Sequence, residues 1–291
     1  MPSPELRRGS FGGVALTGDE RRPFGVTLMF TERAGGVSRG PHASLNLGDG
    51  RADDPSSVRE NRRRALAAVG AAHLAARLVK PRQVHGTHVA VVDASGGERL
   101  AAALDDAHAG ADAVVCTATD VPVLLCFADC VPVVLVCDGG FAVIHSGWRS
   151  TMGHITAKAL ATLCDLTGAQ PQGVLAYVGP HIGGDDYEVS RDLATRFEGE
   201  FGPRVLRDER HLDLSAAIRA DLERAGVAFG QVLDALPSTL SATDRYFSYR
   251  AQGEAHGLHG ALAIRAGEAT YGDDITWEGA HLSVAKETGR R

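Results

Sequence analysis

What this 291-residue sequence lacks excludes several classes of protein. No apolar run is long enough to cross a bilayer, because the most hydrophobic window, Val121 to Val136, is interrupted by Asp129. The first residues contain no continuous apolar stretch, so we expect no secretory signal. The five cysteines form no CxxC pair, as expected of reduced thiols in the cytosol. We therefore expect a soluble, cytoplasmic protein that does not contact a membrane.

The sequence also lacks an excess of positive charge. Its formal net charge is -6 at pH 7, and acidic and basic residues are interspersed. Proteins that bind nucleic acid usually present a basic face, so we expect no nucleic-acid partner. Hydrophobic residues make up 44% of the chain, which is enough for a sizeable core.

Short apolar segments and amphipathic segments follow one another along the chain. Near-continuous apolar runs, typical of strands buried on both faces, occur in DAVVCT, VPVLLCF, VPVVLVC and FAVIHS. Other strands are predicted in GVTLMF, QVHGTHVAVVD and GVLAYVG, and a last one in HGALAIR. Helices are predicted at 55–69, 150–166, 190–201 and 214–225, the first capped by Asp54 and opened by Pro55. The mixture predicts an α/β (α+β) chain in which helices cover sheets.

The domain organisation follows from the same patterns. No internal repeat or long linker divides the chain, so one domain over residues 1–265 is the simplest interpretation. Residues 266–291 have weak periodicity and much polarity, and we expect them to form a loosely attached tail.

Three good metal ligands occupy notable positions. Cys130 follows the run VPVLLCFAD, His145 ends FAVIH, and His85 lies upstream in QVHG. Zinc prefers nitrogen and sulfur ligands, and a catalytic site uses three protein ligands with a fourth position for water. Residues at strand ends can converge, because the sheet holds them rigidly. The spacing matches no local motif, however, so ordinary structural roles stay open, and His88 competes with His85.

The remaining cysteines and the segment after His145 have simpler interpretations. We interpret four cysteines as small core residues: Cys116, Cys126, Cys137 and Cys164. In SGWRST a helix begins, and its free N–H groups with Arg149 beside them would favour an anionic group. The alternative for Arg149 is a plain surface cation or a capping residue.

Several longer segments occur together in a characteristic order. They are NLGDGRADDPSSVRENRRRAL, QVHGTHV, ADAVVCT, FADCVPVVL, AVIHSGWRST, GPHIGGDDYEVS and FSYR. In this combination the chain resembles the YfiH-like laccase-domain family over roughly 24–265. Members are also known as polyphenol oxidases, purine nucleoside phosphorylases or peptidoglycan-editing factors. The resemblance implies mixed β-sheets stacked between helices, a layered sandwich related to cysteine hydrolases.

The resemblance also implies a zinc site. In the family, the histidine of QxHG, the cysteine of ADC and the histidine of HxGWR bind zinc, and they correspond here to His85, Cys130 and His145. Other positions depart from the family pattern. GPHIGGDDYEVS introduces His181, GWRG has become GWRS at Ser150, and a later arginine is missing at Gly257. These departures leave the ligands in place but alter the expected pocket rim. We interpret His181 as hydrogen-bonded in its own turn, the alternative being an extra base or ligand.

The activity implied by the resemblance is that of a zinc-dependent purine nucleoside enzyme. It would carry out phosphorolysis of adenosine- or inosine-type nucleosides with phosphate, and deamination of adenosine. Zinc explains deamination, because it lowers the pKa of its bound water to roughly 7. The catalytic candidates are Cys130, His145 and Asp129. Asp129 is either a proton shuttle or a residue that orients a ligand.

Three polar residues are candidates for substrate contacts. Arg149 could hold phosphate, and Asn46 in SLNLG and Gln83 in QVHG could orient the base or the ribose. An asparagine in such a turn often bonds its own backbone instead, and that alternative stays open for Asn46.

Other activities remain alternatives. In an amide hydrolase that edits peptidoglycan precursors, Cys130 would be the nucleophile and His145 its base. A copper phenol oxidase is less consistent with the sequence, because a multicopper site needs about ten histidine ligands, usually in H-x-H pairs. This chain has 12 histidines and no H-x-H, so we expect any copper binding to be adventitious. An inactive scaffold is the last alternative. The sequence leaves the oligomeric state open.

Overall fold

The computed structural model describes residues 3–49, 52–265, 271–272 and 274–284. The strands in these residues are β1 (Glu5–Phe11), β2 (Val14–Gly18), β3 (Val26–Thr31), β4 (Val89–Val92), β5 (Ala113–Cys116), β6 (Val123–Phe127), β7 (Val131–Cys137), β8 (Gly140–Ser146), β9 (Leu175–Val178), β10 (Val232–Asp234), β11 (His259–Arg265) and β12 (Thr276–Ser283). The helices are α1 (Pro55–Ala68), α2 (Gly97–Gly110), α3 (Trp148–Met152), α4 (Ile155–Thr167), α5 (Arg191–Phe201), α6 (Leu214–Arg224) and α7 (Tyr249–Gln252). Short 3-10 turns occur at Pro23–Gly25, Gly40–His42, Ala72–Arg77, Pro171–Gly173, Pro203–Val205 and Phe229–Gln231.

The strands form two six-stranded sheets. The first has the order β12-β1-β2-β3-β11-β6, and its neighbouring strands are antiparallel. The second has the order β10-β9-β7-β8-β5-β4 and is mixed, because its two outer pairs, β10 with β9 and β4 with β5, are parallel. Its inner pairs are antiparallel.

The sheets pack face to face between two layers of helices. In β7, Val134 faces the first sheet and packs near Phe30 of β3, whereas Val133 points to the opposite side, towards α4. Successive side chains of a strand alternate between faces, so a strand buried on both faces is apolar throughout. Helix α1 covers the outer face of the first sheet. Helices α4, α5 and α6 cover that of the second. The predicted α/β class, with stacked sheets between helices, is confirmed.

Local signals set the helix ends. The Asp54 carboxylate accepts hydrogen bonds from the N–H groups of Ser56 and Ser57, so the predicted cap of α1 is present. The helix predicted over 150–166 is in fact two helices, and that prediction is wrong. The chain breaks between α3 and α4, where His154 has a φ of 57°. The His154 ring lies 3.0 Å from a buried Asp221 oxygen, a contact that sequence periodicity does not reveal.

The segment after Arg265 contributes to the first sheet. Tyr271 is buried, and its hydroxyl donates to the carbonyl oxygens of Leu28 and Asp19. Strand β12 then pairs with β1, although most of its residues are exposed, so β11 is not the last strand. Residues 266–270, 273 and 285–291 of the expected tail lie outside the described residues, and the division into domain and tail stays a prediction. No helix of the described segments is long and apolar enough to span a bilayer.

Candidate metal centre and its cavity

The structure brings His85, Cys130 and His145 together. The ligand atoms of the three side chains all lie within 4.8 Å of one another. Cys130 directly precedes β7, and His145 in β8 pairs with Pro132 of β7. Antiparallel pairing therefore places Cys130 and His145 at the same end of these two strands. His85 comes from the loop before β4, which was predicted as part of a strand but is irregular. The convergence expected for a metal site is therefore present.

Asp112 connects two of these three residues. Its fully buried carboxylate accepts hydrogen bonds from three consecutive backbone N–H groups, residues 84–86, at 2.7 to 3.1 Å. The same carboxylate accepts a hydrogen bond from Nδ1 of His145 at 2.8 Å. Since Nδ1 donates to Asp112, Nε2 of His145 is left to face Cys130. We did not identify Asp112 from sequence. The available signal was that Asp112 directly precedes the buried run AVVC within the segment ADAVVCT.

Two residues of the centre adopt unusual backbone conformations. His85 has a φ of 56° and Asp129 a φ of 85°, in the left-handed region that non-glycine residues rarely adopt. Such conformations persist where neighbouring contacts hold them. Asp112 binds the backbone N–H of His85, and the carbonyl of Asp129 accepts from the N–H of Ile182 at 3.0 Å.

Gly147 leaves space for the ligand atoms. A Cβ built at this position would lie 3.0 Å from Sγ of Cys130 and 3.1 Å from Nδ1 of His85. A side chain would therefore crowd the two ligand atoms. Sγ of Cys130, Nδ1 of His85 and Nε2 of His145 provide one sulfur and two nitrogen donors, which are the donor types that zinc prefers. The residues present thus fit one metal ion.

The electrostatics of the centre favour a thiolate. Burial raises the pKa of the Cys130 thiol, but the rings of His145 and His85 lower it to about 6. Burial lowers the pKa of His145, whereas Cys130 and then Asp112 raise it to about 9. Burial raises the pKa of the other four cysteines, as expected for core residues: Cys116, Cys126, Cys137 and Cys164. Cys130 is therefore the cysteine suited to metal binding or nucleophilic chemistry.

A cavity of about 1130 Å³ opens beside the three residues. Four aromatic side chains line it: Phe127, Trp148, Tyr187 and Tyr249. Its walls also contain two carboxylates, Asp49 and Asp129, and five basic residues, Arg62, Lys80, Arg82, Arg149 and Arg250. The cavity is thus locally basic, although the whole chain carries a net charge of -6.

Asn46 lies away from this cavity. It is fully buried and is not among the lining residues. Its amide nitrogen donates to Asp53 at 2.8 Å, and its oxygen accepts from the N–H groups of Gly48 at 3.1 Å and Leu258 at 2.9 Å. The structure therefore gives Asn46 the backbone-bonding role of a turn residue, in place of the expected substrate contact.

Gln83 and Arg149 both line the cavity, in different ways. The Gln83 amide pairs with the backbone of Cys126, donating to its carbonyl at 2.8 Å and accepting from its N–H at 2.9 Å. This pairing ties the QVHG loop to β6. The guanidinium of Arg149 lies 4.2 Å above the Trp148 ring, and Arg149 forms no ion pair with any carboxylate in the described ranges. Arg149 is thus free to bind an anion.

Asp129 binds two other segments of the chain. One carboxylate oxygen accepts from the Thr239 hydroxyl at 2.6 Å, and the other accepts from the backbone N–H of Arg250 at 2.6 Å. Because both oxygens already accept hydrogen bonds, the contacts favour an orienting role over a proton shuttle.

Two further histidines lie outside the centre. His181 is buried, and its Nδ1 donates to the Gly179 carbonyl at 2.8 Å, which is the turn-bonded role expected from sequence. The His88 ring lies 2.9 Å from an oxygen of Asp106 at the surface. Neither histidine belongs to the cluster formed by His85, Cys130 and His145.

The sequence matches the family described as "Multi-copper polyphenol oxidoreductase laccase" over residues 27–266. The chain belongs to this laccase-domain family. It is 42% identical to a purine nucleoside phosphorylase of Deinococcus radiodurans, over 69% of this chain and 76% of that relative. It is 34% identical to a purine nucleoside phosphorylase of Corynebacterium glutamicum, over 78% of this chain and 90% of the relative.

Solved structures of the family share the fold of this laccase-domain protein. The crystal structure of YlmD from Geobacillus stearothermophilus matches with a TM-score of 0.76 and 26% identity, covering 90% of this chain and all of that one. The crystal structure of Neisseria meningitidis protein NMB0706 matches with a TM-score of 0.71 and 29% identity, covering 90% and 99% of the two chains.

The copper in the family's description contrasts with the donors found here. Within the part of the chain that the structure describes, a single cluster of three histidine and cysteine donors can hold a metal ion. A multicopper oxidase needs several copper ions with many more histidine ligands. The geometry of this laccase-domain protein therefore fits one metal ion.

Proposed function

We propose that this laccase-domain protein is a zinc-dependent purine nucleoside phosphorylase. The observation that carries the proposal is the position of His85, Cys130 and His145 in a cavity with aromatic and basic walls. Aromatic rings stack on purine bases, and basic groups attract phosphate. The relatives named purine nucleoside phosphorylase support the same substrates.

Phosphorolysis exchanges one bond at C1′ of the ribose for another. An oxygen of inorganic phosphate bonds to C1′ while the C1′–N9 bond breaks. The electron pair of that bond leaves with the purine, which takes up a proton. The products are the free base and ribose 1-phosphate. The attacking phosphate and the leaving purine therefore each need their own contacts in the cavity.

The residues of this chain have distinct roles in that reaction. Arg149 would hold the phosphate, and Trp148 would offer its ring to the purine. Asp112 orients His145 and shapes the loop of His85, which pre-organises the donor set. A metal ion held by these donors would supply Lewis acidity beside the ribose and the base.

Deamination of adenosine is a second proposed activity of the same cavity. Water replaces the amino group at C6 of the purine, and ammonia leaves. A zinc ion held by His85, Cys130 and His145 would supply an activated water for this hydrolytic reaction. Deamination consumes no phosphate, so the two activities are separable in a single assay. The five free thiols favour a cytoplasmic location for both.

A product assay with adenosine, with and without phosphate, tests both activities. Adenine that forms only with phosphate establishes phosphorolysis, and inosine that forms under both conditions establishes deamination. Unchanged adenosine and inosine with zinc-loaded protein would refute the nucleoside proposal.

One observation favours a second candidate function. Cys130, His145 and Asp112 form a connected thiol, imidazole and carboxylate series, and the lowered pKa of Cys130 suits a nucleophile. Such a series would suit an amide hydrolase acting on peptidoglycan precursors. Metal dependence separates the candidates. The hydrolase stays active after chelation and is inactivated by thiol alkylation, whereas the zinc enzyme loses activity on chelation and regains it with zinc.

A further inference from the structure

Arg250 and Tyr187 lie in the wall of the same cavity. The guanidinium carbon of Arg250 lies 5.3 Å from the centre of the Tyr187 ring. One N–H of Arg250 donates to the Glu188 carbonyl at 3.1 Å. An arginine has five N–H donors, so most of those on Arg250 are available to a ligand.

Three of the five basic residues of the cavity wall direct their donors to other groups of the described chain. Arg62 and Lys80 bind the Asp49 carboxylate at 2.7 and 2.9 Å. Arg82 donates to the carbonyl oxygens of residues 108 and 109. Arg149 and Arg250, in contrast, form no ion pair with the carboxylates in the described stretches, and both are exposed. The guanidinium groups of Arg149 and Arg250 therefore keep the most N–H donors for an anion in the cavity.

Each of these arginines is stacked on a ring that also lines the cavity. Arg149 lies over Trp148, and Arg250 lies over Tyr187. Stacking occupies the flat face of a guanidinium and leaves its N–H edge free. That edge matches the oxygens of a phosphate, which it can bind in a bidentate way.

Tyr187 lines the same cavity, and its ring lies beneath the guanidinium of Arg250. Burial raises the pKa of Tyr187 to about 12, and the charges of Cys130, Arg250, Asp129 and Arg149 all act on its phenol. The phenol therefore keeps its proton at neutral pH, as an unperturbed tyrosine also does. Its hydroxyl forms no hydrogen bond with another described residue, so it can donate to a ligand in the cavity.

The position of Arg250 is coupled to the metal centre through Asp129. The Asp129 carboxylate accepts from the backbone N–H of Arg250 at 2.6 Å, and Asp129 is the residue before Cys130. The fully buried Thr239 holds the other oxygen of this carboxylate. The start of helix α7 is thus fixed relative to Cys130, and with it the base of the Arg250 side chain.

We propose that Arg149, Arg250 and the Tyr187 hydroxyl form an oxyanion subsite that binds the phosphate co-substrate beside His85, Cys130 and His145. The inference rests on the proposed phosphorolysis for its substrate. Two cations match the two charges of hydrogen phosphate, and the phenol offers a further donor. Asp129 is a positioning residue in this arrangement, since it holds Arg250 and does not itself reach the anion.

Steady-state kinetics with inosine and varied phosphate test the subsite. We expect Arg250→Gln to raise the KM for phosphate by about tenfold or more, because a charge-assisted contact is lost. Tyr187→Phe keeps the ring under Arg250 and removes one donor, and we expect a smaller rise. In both variants the KM for inosine should change less than twofold. Arg250→Lys keeps the charge without the planar fork and should restore part of the phosphate affinity.

Arg219→Gln is the matched control. Arg219 stacks on Phe229 at 5.1 Å and donates to the Val232 carbonyl, so it resembles Arg250 in its contacts but does not line the cavity. It should keep the phosphate KM of the unmodified protein. A phosphate KM that Arg250→Gln leaves unchanged, in a variant with normal zinc content and normal unfolding temperature, would overturn the subsite.

Direct binding separates this inference from the proposed function. Calorimetric titration of zinc-loaded protein with inorganic phosphate needs no turnover. If no nucleoside is cleaved but phosphate binds and Arg250→Gln weakens that binding, the subsite stands and phosphorolysis fails. If the unmodified protein binds no phosphate, the subsite fails, whatever the activity with nucleosides.

Discussion

The carboxylate of Asp112, the residue directly before β5, lies 2.8 Å from Nδ1 of His145 in the neighbouring strand β8. The same carboxylate holds the backbone of the QVHG loop through three N–H groups. One buried side chain therefore sets both the orientation of His145 and the position of His85. Metal affinity should depend on a residue that does not itself contact the metal.

Asp112→Asn should lower zinc affinity by roughly 10- to 100-fold, because an amide cannot accept every hydrogen bond that the carboxylate accepts. The free energy of unfolding of the variant should also be lower by about 2 kcal/mol, since buried N–H groups lose their acceptor. Competition with a chromophoric chelator measures the first effect, and urea unfolding of the apo-protein the second.

Asp106→Asn provides the control for that prediction. Asp106 also pairs with a histidine, His88, at 2.9 Å, but both side chains are about half exposed. Removing this surface pair should change the free energy of unfolding by less than about 1 kcal/mol. Equal zinc affinity in Asp112→Asn and Asp106→Asn would show that Asp112 does not organise the metal site.

Cys130→Ala should abolish stoichiometric zinc binding and phosphorolysis together, because it removes the thiolate from a site with three protein ligands. Elemental analysis of the purified protein and the adenosine product assay measure the two effects. Cys164→Ala is the matched control, since Cys164 is also half-buried but burial raises its pKa and no histidine of the centre acts on it. Normal zinc and normal turnover in Cys130→Ala would refute the metal site.

Much of the fold could be predicted from sequence, because the second sheet is buried on both faces. In that sheet β5 and β7 are apolar throughout and β8 is apolar from Phe141 to Ile144, which is a clear strand signal when turn residues separate the runs. Strand β1 was not predicted, since ELRRGSF carries three charged residues whose partners lie far along the chain. Arg8, for example, binds Glu32 at 2.7 Å and Glu278 at 3.4 Å.

In the candidate site, too, some features could be predicted from the sequence and others could not. The three donors could be found because Cys130 and His145 lie at the ends of apolar runs and all three donors occur in recognisable motifs. Contacts between distant segments were inaccessible. The amide of Asn46 is bound to Leu258, 212 residues away, and the carboxylate of Asp129 to Thr239 and Arg250. Only the fold reveals that these polar side chains are already engaged.

Glu32 provides a prediction for stability against pH. Burial raises the pKa of this carboxyl, but hydrogen bonds and ion pairs with Arg8 and Arg245 lower it to below 4.5 overall. The pKa is thus lower in the folded than in the unfolded protein, so the contribution to stability is present above pH 4.5. It is lost as the pH falls through the folded-state pKa.

Glu32→Gln should therefore lower the free energy of unfolding by about 2 kcal/mol at pH 7, where two arginines lose a charged, almost fully buried partner. The difference from the unmodified protein should shrink as the pH drops below 4.5. Urea unfolding at a series of pH values measures it. Glu60→Gln, which removes a partly exposed helix-surface partner of Arg63 and Arg64, should have a small effect at every pH.

Gly147→Ala should weaken zinc binding without straining the backbone. Gly147 has a φ of -79°, which alanine adopts freely, so the only cost is the contact of the new Cβ with Sγ of Cys130 at 3.0 Å and Nδ1 of His85 at 3.1 Å. Both atoms must shift to relieve it, and the donor set then departs from tetrahedral geometry. We expect roughly a tenfold loss of zinc affinity, the size of effect seen when the surroundings of a metal site are disturbed. Gly173→Ala, whose Cβ would meet no atom within 4 Å, should bind zinc normally. Unchanged zinc affinity in Gly147→Ala would show that zinc binding does not require Sγ of Cys130 and Nδ1 of His85 in their present positions.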